Sequence, residues 1–206
     1  MLDIHREIML RFTFLSILLL AGFSPARAQG IVTTLPEEID ATAKYVFFLP
    51  DEMVTPEDPQ PTHREFGEYE YAEIANQFLA AGFTVISRPR AVTEHPYTVA
   101  EEIIGQIRKL RGAGVPATHI GLVGARQGAA IAVLVTTKYP QPDMQVVLLS
   151  LCNDTFMDFW IQQNELLAGN VLSIYASGSD ERTSCLRYIE HSRPHGVSRY
   201  RELALP

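Results

Sequence analysis

Residues 119–140 read HIGLVGARQGAAIAVLVTTKYP. Ile120 to Val123 is a short apolar run, the signature of a buried strand. Gly124 and Gly128 bound a tight turn, and Gly128-Ala129-Ala130 opens a small-residue segment that reads as helix through Lys138. A strand that passes into a helix through a glycine-bounded turn is the unit from which parallel sheets are assembled. The rest of the chain is read outward from this point.

Upstream, Lys44–Leu49 and Phe83–Ser87 are β-branched and aromatic runs that predict strands. Downstream, Gln145–Leu151, Val171–Tyr175 and Arg199–Leu205 do the same. Helical spacing predicts helices over Tyr69–Ala81, stopped by Gly82, and over Val99–Gly112, with Ile103, Ile104, Ile107 and Leu110 on one side. A further helix is expected within Asp154–Leu167, opened by an Asp or Thr cap. Pro50–Thr62 holds four prolines and four acids and reads as a long loop, and Pro89–Pro96 as a shorter one. Strands alternating with helices imply a three-layer α/β fold, a mainly parallel sheet with helices on both faces, in one domain over residues 29–206. Ligands of such sheets lie beyond the C-terminal strand ends. That confines a site to Pro50–Thr62, Gly124–Gly128, Cys152–Thr155 and Ala176–Cys185.

Residues 1–28 read as a signal peptide. Arg11 precedes the apolar run Phe12–Phe23, and Ala26-Arg27-Ala28 supplies a small-residue cleavage site before Gln29. The run is short of the roughly 20 residues that span a bilayer, so no membrane span is expected after cleavage. Removal takes three of 17 basic and two of 24 acidic residues, leaving 14 against 22, a net charge of −8. No basic stripe remains to track a phosphate backbone, so nucleic acid is not an expected partner. Export to the periplasm or the medium favours oxidation of Cys152 and Cys185, which follow two consecutive predicted strands whose ends would be neighbours. A disulfide is expected, the alternative being two small buried hydrophobes. No metal-ligand spacing or cofactor motif occurs.

The turn Gly124-Ala125-Arg126-Gln127-Gly128 has the frame G-x-S-x-G with arginine in place of serine. From Lys44 to about Cys185 the chain resembles small exported bacterial α/β-hydrolase-like proteins. Their strand-HG, RFGxYEY-like, FTVISE-like, GASKG and SIYDASDE-like segments correspond to Leu49-Pro50-Asp51, Glu65–Tyr71, Phe83–Arg88, Gly124–Gly128 and Ser173-Ile174-Tyr175 through Ser179-Asp180-Glu181. The resemblance implies an α/β-hydrolase fold and a site needing a serine, a histidine base, an orienting acid and amide donors for an oxyanion.

Each element departs from that pattern. Arg126 stands at the nucleophile position, and a guanidinium offers donors only. Ser150 and Ser177 lie elsewhere and lack the elbow. His191 and His195 precede the last predicted strand, one strand too early for the base. Pro50, which has no N–H, and Asp51, which would repel an oxyanion, replace His-Gly. Asp180 alone keeps its place, as the acid. Two readings of Arg126 follow. With Pro50, Asp51, Gly124, Gln127 and Gly128 it makes a small anion site at a helix N-terminus; or it folds over the vacated pocket and pairs with Asp51 or Asp180. Arginine gains nothing from the strain that exposes a nucleophilic serine, so the turn is expected to relax. Trp160, Phe156 and Phe159 are expected to pack on the sheet, and His63-Arg64-Glu65 has no metal spacing.

Three functions stay open: a non-catalytic hydrolase-like protein binding small anions, an esterase-type serine hydrolase with an unplaced site, and a C-terminally truncated relic.

Overall fold

The computed structural model describes residues 30–64, 67–177 and 183–206. The expected signal peptide, its cleavage point and Asp180 lie outside the described residues. In chain order the elements are β1 (Lys44–Leu49), β2 (Thr62–His63), β3 (Gly67–Glu68), α1 (Tyr71–Ala80), β4 (Phe83–Ile86), α2 (Pro96–Gly112), β5 (Ile120–Ala125), α3 (Gln127–Lys138), β6 (Gln145–Leu149), α4 (Asp154–Gln162), β7 (Gly169–Ala176), α5 (Leu186–Ser192) and β8 (Val197–Leu205). Six strands form a parallel sheet in the order β4-β1-β5-β6-β7-β8, and β2 with β3 makes a small antiparallel pair. This is the α/β architecture the alternation implies.

The central strands are apolar on both sides because both sides are covered. On one face Tyr45, Phe47, Leu122, Val146 and Leu148 join the inward stripes of α2 and α3, with Met157 and Trp160 of α4 and Tyr188 and Ile189 of α5. On the other, Val46, Phe48, Val85 and Val123 meet Tyr71 and Ala75 of α1. Tyr71 also donates through its hydroxyl to Ser87 Oγ (3.0 Å), which donates to the Phe48 carbonyl (2.6 Å), tying α1 to the ends of β1 and β4. Farther along this face, β6 to β8 align Leu149 with Ile174 and Ile174 with Leu203. Leu203 and Leu205 there are 48% and 46% exposed.

Several boundaries differ from the expected ones. α2 begins at Pro96 rather than Val99: proline's fixed φ suits the first helical position, and His95 Nδ1 accepts from the Tyr97 amide (3.4 Å). α4 is capped by Asn153, whose Oδ1 accepts from the Phe156 amide (2.8 Å), not by an Asp or Thr. β8 starts two residues early. α5, seven residues long, falls where too few periods exist to register as a helix in sequence.

Cys152 and Cys185 form the expected disulfide, with a Cα–Cα distance of 5.3 Å. The Cys185 amide (2.8 Å), the Ser184 hydroxyl (2.6 Å) and the Tyr200 hydroxyl all donate to the Glu202 carboxylate, anchoring that end of the bridge to β8.

The approach of α3 to the sheet is the tightest packing in the fold. A Cβ on Gly128 would lie 2.0 Å from the Leu49 carbonyl oxygen, and one on Gly124 2.4 Å from the Gly128 oxygen. Gly128→Ala is therefore expected to lower stability by about 3 kcal/mol or more, read as a drop in the urea midpoint. The Cys152→Ala/Cys185→Ala variant, which opens a bridge between residues 33 apart in sequence, is expected to lose about 3–4 kcal/mol; an unchanged midpoint would count against the bridge.

Candidate functional site

β5 delivers its last residue, Ala125, to the C-terminal edge of the sheet beside Leu149 of β6. Arg126 follows with φ 47° and ψ −109°, its amide donating to the Leu149 carbonyl (2.9 Å), and α3 starts at the next residue. The turn has not relaxed, contrary to expectation. The reason is steric: Gly124 and Gly128 are locked against each other and against Leu49, so the chain must reverse within one residue. Whichever side chain stands at position 126 takes a strain of about 1–3 kcal/mol. Gly124 and Gly128 thus let the backbones approach.

The guanidinium turns to the loop after β1. Its Nε lies 3.1 Å from Asp51 Oδ2 and its Nη2 3.8 Å from Glu52 Oε1. Of the two pairings expected for Arg126, the one with Asp51 forms, while Asp180 is outside the described residues. Asp51 is buried and its Oδ1 also accepts from the Met53 amide (3.1 Å). Glu52, which the sequence reading passed over, accepts from the Gln127 amide (3.3 Å) through Oε2. In a nucleophile elbow the amide after the nucleophile binds the oxyanion; here a carboxylate of the same chain holds it. The acidic doublet Asp51-Glu52 at the start of the loop was the available signal. Pro50 directs its carbonyl to Arg90 Nη2 (2.7 Å), so this loop is fastened from behind as well.

Burial pushes the Asp51 carboxyl up, to about 6; contact with Glu52 adds to the rise, while the Met53 amide and Arg126 oppose it. For Glu52, burial also acts upward but is outweighed by backbone amides, a hydrogen bond from Asp51 and Arg126, which hold it below its usual range. On acidification below about 6 Asp51 is therefore the acid of the pair that takes up the first proton.

Two clefts meet at Arg126 and Ser150. One, of about 550 Å3, has a wall of Leu134, Phe156, Phe159 and Trp160. The other, of about 490 Å3, runs past Asp51, Tyr69 and Ile74. Trp160 packs inward as expected, but Phe156 and Phe159 are 41% and 50% exposed and line the cleft instead. Ser150, at the end of β6, has φ 51°. His195 lies just before β8, at the N-terminal edge of the sheet, where Gly169 donates to Gly196; that is the end opposite the elbow. His191 is exposed on α5. Among the described residues no three His, Cys, Asp or Glu side chains are grouped to hold a metal, and no helix is long and apolar enough to cross a membrane.

The parallel sheet with helices on both faces and the strained strand-to-helix turn after β5 define an α/β fold. No family model and no curated protein matches the chain. Among solved structures it is similar to a provisionally assigned carboxylesterase of Lactobacillus plantarum, with a TM-score of 0.49 and 14% identity over 85% of this chain and 80% of that one.

Since Asp51 binds its proton more tightly folded than unfolded, its contribution to stability grows as pH falls from about 6 towards its ordinary 3.8. Glu52 acts oppositely and lower, its contribution being lost as pH falls below its ordinary 4.5. Asp51→Asn should remove the gain between those two values of pH while leaving the loss at lower pH. Urea midpoints of the two proteins measured across that range check this.

Proposed function

We propose that the mature chain is an exported α/β-hydrolase-like protein of the small bacterial kind it resembles, without serine-hydrolase chemistry, that binds small carboxylates at its elbow. The single observation that carries the reading is the occupant of the elbow. Arg126 holds the nucleophile's conformation, and Glu52 sits on the Gln127 amide, where an anion would bind. A guanidinium cannot attack a carbonyl, and a carboxylate on that amide leaves it no room for a developing oxyanion. The disulfide is compatible with export.

The same arrangement supports a carboxylate as the ligand. Glu52 is an internal stand-in for a carboxylate, held loosely at 3.8 Å from Arg126, with its side chain 39% exposed. A ligand carboxylate would displace it from Arg126 and the Gln127 amide and lay an apolar or aromatic body along Leu134, Phe156 and Phe159.

A second reading is favoured by one observation. Ser150 has a positive φ on the rim of both clefts, a conformation that non-glycine residues keep chiefly where something requires it. In that reading the chain is an esterase whose nucleophile is Ser150.

A serine-directed fluorophosphonate probe separates the two. The expected result is no labelling and no turnover of a simple ester; stoichiometric labelling of Ser150 would establish the second reading. For the first, calorimetry with phenylacetate should show saturable binding that Arg126→Ala abolishes and Glu52→Gln strengthens roughly tenfold, through removal of a competing charge. Equal affinity in all three proteins would refute it.

A further inference from the structure

Away from the elbow, the segment at Thr33 and Thr34, the ends of β1 and β4 and the side of α2 border a half-open cavity of about 150 Å3. Its walls are largely apolar, from Leu49, Ile86, Val99 and Ile103, but Arg88, Arg90, Glu102 and Gln106 also line it. Arg88 is satisfied: its Nη1 and Nη2 donate to Glu94 (2.8 and 2.6 Å) and its Nη2 to Glu102 (3.3 Å).

Arg90 is not. The residue is only 5% exposed, its Nη2 donates to the Pro50 carbonyl (2.7 Å), and its Nη1 has no hydrogen-bond partner. It makes no ion pair among the described residues, the surrounding carboxylates being engaged by Arg88 and Arg126. A buried guanidinium without a carboxylate is costly, because the lost hydration is only partly replaced. Gln106 Oε1, on the facing helix, is likewise buried and unpartnered. One cavity is thus lined by a residue with an unused cationic donor and by another with an unused acceptor. A single molecule bearing an anionic acceptor and a donor would answer both. At about 30 Å3 for one water, the space suits only a handful of non-hydrogen atoms.

We propose that this cavity binds a compact carboxylate carrying its own hydroxyl or amide donor, the carboxylate meeting Arg90 and the donor meeting Gln106. The site is separate from the elbow and does not rest on the function proposed for it. Its apolar walls would exclude larger or multiply charged molecules. Arg90 also holds Pro50, the residue before Asp51 and Glu52, so occupancy stiffens the loop that carries the partners of Arg126.

Calorimetric titration of the mature Arg126→Ala protein, which lacks the elbow's carboxylate-binding group, with glycolate and acetate tests this, since the two differ only in the hydroxyl. Glycolate is expected to saturate a single site and to bind about tenfold more tightly than acetate, the difference one additional hydrogen bond makes. Gln106→Leu should reduce glycolate to the affinity of acetate and leave acetate unchanged. Adding Arg90→Gln to the Arg126→Ala protein should abolish both, and restoring Arg126 should leave this binding event in place, which separates this site from the elbow. Three outcomes would overturn the proposal: no saturable binding up to about 50 mM, a range that covers the affinities open to so small a ligand, meaning a cavity filled by water only; equal affinities for the two acids; or binding that survives the addition of Arg90→Gln. Should Arg90→Gln fail to fold, Gln106→Leu still decides, because its side chain is half-buried and close in size.

Discussion

The contact of Gly128 with the Leu49 carbonyl fixes more of this molecule than any other. It sets α3 directly on the ends of β1 and β5, closer than any side chain would permit. That closeness compels the one-residue reversal at Arg126, and the reversal places a side chain at the sheet's C-terminal edge between two clefts. Function can be lost from such a turn while its geometry stays, because the geometry belongs to the glycines on either side. The arginine inherits the strain without having caused it.

Given that placement, the electrostatics follow. A cation projected from a helix start over the edge of a parallel sheet needs an anion, and the nearest chain is the loop after β1. Asp51 and Glu52 supply two carboxylates where one charge is to be balanced, so one of them is raised and takes up its proton first as the pH falls. Burial decides which: Asp51 is the more enclosed and the one pushed up, while Glu52, nearer to the Gln127 amide, stays charged. Arg90, on the far side of the same loop, is left to the Pro50 carbonyl alone.

The sheet was legible in sequence because its strands are buried on both faces and read as unbroken apolar runs, as Lys44–Leu49 and Ile120–Val123 do. The glycine frame gave the turn, and the two cysteines their pairing, since consecutive parallel strands end side by side. What escaped was set by sequence-distant or very local chemistry. The start of α2 depended on a histidine cap, and α5 was too short to show a period. The part played by Glu52 depends on the Gln127 amide, 75 positions away in the chain, which only the fold brings to it. The persistence of strain at Arg126 could not be read from arginine at all; it is a property of Gly124 and Gly128 meeting in space. The unsatisfied Arg90 and Gln106 come from strand end and helix, 16 positions apart in number, and only the packing of α2 on the sheet makes them neighbours of one cavity.

The last strand carries a consequence of its own. β8 is a nine-residue outer strand, longer than those it flanks, and Leu203 and Leu205 expose apolar surface on the side where α1 does not reach. A long, flat, apolar margin of this kind is a template for adding a strand from another molecule. The alternation that brings these leucines to one side also brings Arg199 and Arg201 there, both exposed. Two charges in line with the apolar pair interrupt that margin, and charged side chains on an outer strand are a means by which open sheet edges are blunted against pairing.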